Sequence, residues 1–240
     1  NKTRRAHIIT LEDPIEFVHE SRQSLINQRE IGSHTNSFAR ALRAALREDP
    51  DVVLVGELRD LETVALALET ANTGHLVFGT LHTATAISTV DRIVDIFPAE
   101  QQNQVRSALS ESLRGVVAQT LLRRVGGGRV AALEVLVVNA AVSNLIREAK
   151  TVQITSIMQT GKALGNSLLN EELARLVYAG TVTAEEATSK ALDKADLSKR
   201  LPLGAGAQAV SAVRGASGPP GEARSGSGAV ETRRPTWRRS

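Results

Sequence analysis

Residues 49–63 read DPDVVLVGELRDLET. Asp49 and Pro50 stop any preceding helix, because proline disfavours the α conformation in the residue before it. Residues 51–57 then run Val, Val, Leu, Val between an aspartate and a Gly-Glu pair. So short and continuous an apolar run is the pattern of a parallel strand buried on both faces. Residues 60–72, DLETVALALETAN, resume at helical spacing, and Gly74 is placed to close that helix. The unit is therefore strand, acid, helix.

The same unit recurs on either side. HIITLED (7–13) is a short apolar run ending in carboxylates, and HLVFGTLH (75–82) is a third strand. Between the first two lies TNSFARALRAALRED (35–49), with N-cap candidates at residues 35–37 and Phe38, Leu42, Ala45 and Leu46 on one face. ATAISTVDRIVDIF (84–97) reads as a helix before Pro98, and AEQQNQVRSALSESLRGVVAQTLL (99–122) as one long helical pattern. LRRVGGGRVAALEVLVV (122–138) predicts a hairpin turning at residues 126–128. Alternating β and α units imply an α/β fold with a mainly parallel sheet and helices on both faces. From Asn139 the pattern is helical only, so residues 1–138 are expected to form the core and residues 139–197 a C-terminal helical bundle.

Composition narrows the classes. Aromatics are 2% of the chain, so Leu, Val, Ile and Ala must do the packing. There are no cysteines, which excludes disulfides and thiolate metal sites and points to a reducing compartment. No apolar run approaches the roughly 18 residues that span a bilayer, and no signal-peptide pattern opens the sequence, so a cytoplasmic protein is expected. The net charge of +3 misleads: from Lys199 onward eight basic residues face two acidic ones, a net +6, leaving −3 for residues 1–198. The basic segment 198–240 is rich in Gly, Ala, Ser and Pro without an apolar period and is expected to be disordered. An acidic core with few aromatics gives no support to nucleic-acid binding.

In open α/β sheets, functional groups gather at the carboxyl ends of strands. The first strand here ends in Glu12 and Asp13, with Glu16 just beyond; the second ends in Glu57; the third carries His75 and His82, with Thr80 and Thr83 beside the latter. Each alone is ordinary, since an acid after a strand commonly caps a helix or meets a cation. Three such ends in one sheet point to a shared crevice. Carboxylates there suit Mg²⁺, which takes one or two protein oxygens and leaves the rest to water and phosphate. They also suit orienting a water for attack on a γ-phosphate.

Those segments carry a resemblance. ITLEDPIEF (9–17) resembles the Asp box of the type II/type IV secretion ATPase superfamily, DPDVVLVGELRDLET its atypical Walker B segment, and TGHLVFGTLHT (73–83) its His box. Within that superfamily the chain most resembles the type IV pilus retraction (twitching motility) ATPases, through EFVHES (16–21), INQREIG (26–32) and residues 97–122. Missing cysteines agree, because the assembly and secretion ATPases typically carry a four-cysteine zinc element. The resemblance implies a RecA-like P-loop NTPase core, ATP and Mg²⁺ as ligands, a homo-oligomeric, hexameric ring, and a PilC-type platform protein as partner at the cytoplasmic face of the inner membrane.

It also implies roles. Glu16 would position or activate the lytic water and Glu57 act at Mg²⁺, directly or through water. His75 and His82 would sit at the γ-phosphate and the subunit interface, with Glu12, Asp13, Thr80 and Thr83 in support. Arg43 and Arg47, one helical turn apart, would reach a neighbouring subunit's nucleotide or else form a solvated basic face. AVSNLIRE (141–148) matches the retraction motif AIRNLIRE at Asn144, Leu145, Ile146, Arg147 and Glu148, whereas Val142 and Ser143 depart from it.

No G-x-x-x-x-G-K-[ST] occurs in the sequence. The backbone amides and lysine that hold the β- and γ-phosphates are thus not among these residues. The expectation is a C-terminal segment of the longer ATPase that does not hydrolyse ATP by itself. The alternatives are an accessory retraction paralogue, a related pilus or secretion assembly ATPase, or a non-catalytic ring subunit or regulator.

Overall fold

A computed structural model describes residues 1–201. Four parallel strands form the central sheet: β1 (His7–Glu12), β2 (Leu25–Glu30), β3 (Val52–Val55) and β4 (Leu76–Gly79), in the order β2-β1-β3-β4. Two of the three expected apolar runs are strands close to the limits read from sequence. The third is shorter, because β4 stops at Gly79 and residues 80–82 leave the sheet. Sequence reasoning passed over β2. Its LINQRE pairs with β1 at the sheet edge, where a strand needs no continuous apolar run.

Register fixes which residues meet. Ile9 lies beside Val53 and Val53 beside Val77, while Leu11 lies beside Val55 and Val55 beside Gly79. Helices α1 (Phe38–Ala45) and α2 (Leu61–Asn72) pack on these residues, and Ile9, Leu11, Leu42, Val53 and Val55 are wholly buried. Burying one such side chain contributes about 2 kcal/mol. Ser37 caps α1 by accepting from the Arg40 N–H, within the expected window. The helix ends at Ala45, so Arg47 falls in a tight turn beyond it rather than on the same helical face as Arg43.

Helices α3 (Ala86–Asp95) and α4 (Ala99–Ser112) follow. The long helix expected over residues 99–122 ends at Ser112: Leu113 is extended, and Gly115–Arg123 is strand β5. It pairs antiparallel with β6 (Arg129–Val137) through Gly115 opposite Val137 and Arg123 opposite Arg129. The hairpin turns as expected at Gly126, Gly127 and Gly128, all with φ between +77° and +108°. Such left-handed conformations favour glycine.

The last segment is helical, as read: α5 (Ala140–Arg147), α6 (Ile154–Thr160), α7 (Leu169–Tyr178), α8 (Ala184–Lys190) and α9 (Lys194–Arg200). Asn139 caps α5 by accepting from Val142 N–H. One apolar cluster joins Val90, Val94, Leu109 and Leu136 to Val142, Ile146, Ile154 and Met158 of α5 and α6. Another joins Leu122 and Ala132 of the hairpin to Leu173, Leu176 and Leu197 of α7 and α9. Of the segment 198–240 read as disordered, residues 198–200 complete α9, and residues 202–240 lie outside the described residues.

Between β4 and β5 runs an apolar groove of about 1050 Å³, lined among others by Leu76, Phe78, Ile93, Val117 and Leu121. Among the described residues neither wall is closed: β4 pairs only with β3, and β5 only with β6. Phe78 is 53% and Val117 64% exposed, so large apolar side chains stand open on both sides.

Candidate functional site

The site sits at the carboxyl edge of the parallel sheet. Gly56, one residue past β3, donates its N–H to Leu11 O at 2.7 Å, which brings the end of β3 against the end of β1. A Cβ on Gly56 would lie 2.9 Å from Leu11 O and 3.3 Å from Glu12 Cα. A residue without a side chain is therefore what lets Glu57 sit beside the acids of the first strand. From the other side, Thr80 donates its hydroxyl to Gly56 O, and Leu58 N–H donates to Thr80 O. Glu57 and His82 thereby come together on adjoining loops.

Glu57 Oε1 lies 3.0 Å from His82 Nε2 and 2.6 Å from Arg59 Nε. Although both are at ion-pairing distance, neither is aligned to donate a hydrogen bond, and this shielded oxygen has no hydrogen-bond partner among the described residues. Distance alone overstates these contacts, because a hydrogen bond weakens steeply with misalignment. His82 and Arg59 are 83% and 77% exposed, so both can swing away from the carboxyl. Sequence reasoning missed Arg59, whose only signal is its place two residues after an acid at a strand end.

The first strand's three acids are used differently. Glu12 Oε1 accepts from Thr10 Oγ1 at 2.6 Å and from Gln28 Nε2 at 2.9 Å, which engages it between β1 and β2. Asp13 and Glu16 are exposed in the loop after β1 and form no ion pair among the described residues. That loop is held by Glu30, whose carboxyl accepts from Ile15 N–H at 3.1 Å and from the Ser33 hydroxyl. Those hydrogen bonds, the backbone one first, hold Glu30 below the usual carboxylate range. Phe17 and Val18 extend into solvent at 75% and 88% exposure.

The two histidines are not brought together. His75 precedes β4 and His82 follows its end, so the strand separates them by its whole length, about 13 Å at 3.3 Å per residue. The His75 Nδ1 lies 3.1 Å from both Thr70 O and Thr73 Oγ1, at the C-terminal turn of α2. Thr83 meets Thr89 hydroxyl to hydroxyl at 2.7 Å, anchoring the start of α3. Arg43 pairs with Glu62 across α1 and α2, and Arg47 makes no ion pair among the described residues. On α5, Val142 and Ile146 are buried, while Asn144, Arg147 and Glu148 face solvent and Leu145 is half-buried. Glu148 pairs with Lys150 at 2.8 Å.

Among the described residues no three His, Asp or Glu side chains converge on a metal-binding geometry. A cation held by an all-protein cage is therefore not what this edge is built for. One carboxyl oxygen without a hydrogen bond, that of Glu57, fits a Mg²⁺ that keeps most of its ligands as water and phosphate, once Arg59 and His82 move off it. No helix among the described residues is long and apolar enough to cross a membrane.

Comparison with known proteins shows what the chain is similar to. The profile of the Type II/IV secretion system protein family matches residues 1–127. The type IV pilus retraction ATPase PilT of Pseudomonas aeruginosa is 57% identical over 191 residues, covering 80% of this chain and 56% of that protein. A twitching motility protein of Neisseria gonorrhoeae is 58% identical over 199 residues, covering 82% of this chain and 53% of that protein. A crystal structure of the pilus retraction motor PilT with bound ADP superposes with a TM-score of 0.77 at 55% identity, covering 82% of this chain and 56% of the other. The chain thus spans a little over half the length of these relatives.

Proposed function

The chain belongs to the Type II/IV secretion system protein family, and from that premise we propose that it forms the catalytic-acid and C-terminal part of an ATP-hydrolysing motor that retracts type IV pili. The observation that carries the reading is the Glu57 oxygen, which no group hydrogen-bonds among the described residues, set beside His82 where β1 and β3 end together. High identity to retraction ATPases over four fifths of the chain supports retraction rather than secretion.

In this reading Glu57 would hold a Mg²⁺, directly or through water, once Oε1 is freed from Arg59 and His82. The ion would supply neutralisation of the charge that develops on the phosphate oxygens. Glu16, exposed and unpaired beyond β1, orients the attacking water and accepts its proton. His82, released from Glu57, donates toward the γ-phosphate, and Thr80 keeps the His82 segment on the strand end through Gly56. Glu12 is support: its hydrogen bonds with Thr10 and Gln28 fix the strand from which Glu16 projects. His75 closes α2 and takes no part at this edge. Arg43, already paired with Glu62, is a weaker candidate than Arg47 for reaching a neighbouring subunit.

In this reading the phosphate-binding amides come from other polypeptide, since these 240 residues contain no G-x-x-x-x-G-K-[ST] sequence. The groove between β4 and β5 favours its entry there. Among the described residues both walls offer unpaired strand edges and open apolar side chains, so an added strand there would end near His82. The assembled motor would be a hexameric ring acting on a PilC-type platform protein from the cytoplasmic side. The exposed Asn144, Arg147 and Glu148 of α5 offer that partner a polar face.

The test is complementation. A chimera carrying residues 1–201 in place of the matching segment of the Pseudomonas aeruginosa retraction ATPase should restore twitching to a strain lacking that protein. A chimera that is stable and forms rings but never supports retraction contradicts the reading.

A further inference from the structure

Glu134 lies on β6, 6% exposed, with no cation paired to it among the described residues. Its two oxygens take separate backbone donors. Oε1 accepts from Ala86 N–H at 2.8 Å, and Oε2 from Leu169 N–H at 3.3 Å. Ala86 is the first residue of α3 and Leu169 the first of α7. The first N–H groups of a helix have no partner within it, and its N-terminus carries partial positive charge. One buried carboxyl therefore caps two helices 83 residues apart in sequence.

What each helix holds gives the contact its use. The segment before α3 carries His82. At its near end Thr80 bonds to Gly56, and at its far end the Thr83 and Thr89 hydroxyls meet and the Thr89 hydroxyl donates to Thr85 O, one residue before Ala86. The segment before α7 runs along β6: Ser167 and Val135 exchange N–H···O bonds at 2.9 Å, and Val137 N–H donates to Asn166 Oδ1 at 2.7 Å. Leu168, at the N-cap of α7, offers no side-chain acceptor of its own. Glu134 is thus where the His82 segment and the C-terminal helices are fastened to one strand.

We propose that Glu134 is a positioning residue that ties the placement of His82 to that of the helices from α7 onward. Movement of those helices is then transmitted to the edge where Glu57 and His82 meet, and the reverse. The proposal rests on the motor reading for its purpose, but its geometry can be tested without nucleotide.

The experiment measures amide hydrogen exchange and the His82 ring resonances by NMR on the whole chain. Glu134→Ala should speed exchange at both Ala86 and Leu169 by at least about tenfold, while Val135 and Ser167 keep their protection as controls for an intact hairpin. Glu134→Gln, which keeps one acceptor oxygen, should expose one of the two amides and spare the other. If Glu134→Ala loses the hairpin controls, Glu134→Gln carries the comparison. Asn166→Ala, which loosens the start of α7, should shift the His82 resonances in the parent chain and leave them in place in the Glu134→Gln background. Unchanged exchange at Ala86 and Leu169 overturns the proposal, as does an Asn166→Ala shift of equal size in both backgrounds or absent from both. Failure of the motor reading would leave each of these readouts intact.

Discussion

Glu57 Oε1 has the Arg59 guanidinium and the His82 ring within 3.0 Å and an aligned hydrogen bond from neither. In the motor reading those contacts give way when Glu57 meets its ligand. Replacing Glu57 by glutamine removes the charge and keeps the shape. In a chimera with a complete nucleotide site, Glu57→Gln should lower turnover by about 10²–10³-fold, the scale of losing one preorganised electrostatic group, while ATP binding persists. A Glu12→Gln change should cost far less activity, because Glu12 is already committed to Thr10 and Gln28. The sequence already pointed to Glu16, Glu57 and His82. Arg59 was hidden because a contact between residues two apart across a strand end has no periodic signature. His75 sits close to His82 on one line of text, yet a strand stands between them, a separation that only the fold shows.

Asp60 links residue chemistry to pH. Partial burial pushes its carboxyl up, but hydrogen bonds from the Thr63 N–H and hydroxyl outweigh this and hold it below its ordinary value near 3.8. Its folded-state value is the lower one. The N-cap contribution to α2 is therefore fully present above the ordinary value and lost as pH falls through the depressed one. Asp60→Ala should cost about 1 kcal/mol at neutral pH, and the gap between variant and parent melting temperatures should close on acidification below pH 3.8.

At the scale of elements, the strand–helix units were readable wherever one period held throughout. Residues 113–122 defeated that reading. Their Leu, Ala and Gln are good helix formers, and they continue a true helix, but Val116, Ala118 and Leu122 are buried at a period of two. Nine cross-strand pairs with β6 decide the outcome, and a pairing partner downstream is invisible to local periodicity. Edge strand β2 escaped for want of apolar residues. Gly56 is the element-scale constraint most open to test. Gly56→Ala presses a methyl against Leu11 O and Glu12 Cα, both backbone, so the ends of β1 and β3 must part. The expected cost is about 1–3 kcal/mol, read by denaturant melts, with the His82 resonances displaced. Gly79→Ala should be milder, because its added methyl meets only the Leu58 side chain.

Over the whole molecule, the described residues carry the strand-end acids, His82 and the C-terminal helices but no phosphate loop, and an open groove lies between β4 of one sheet and β5 of the other. A chain so organised should show no ATP turnover alone. The most direct measurement is steady-state ATP hydrolysis by the purified chimera joining residues 1–201 to the nucleotide-loop half of the Pseudomonas aeruginosa relative, with and without Glu57→Gln, beside the isolated 240-residue chain. The predicted result is turnover by the chimera, its loss on Glu57→Gln with ATP binding retained, and none from the isolated chain. Turnover that survives Glu57→Gln, or that the isolated chain sustains, would contradict the account.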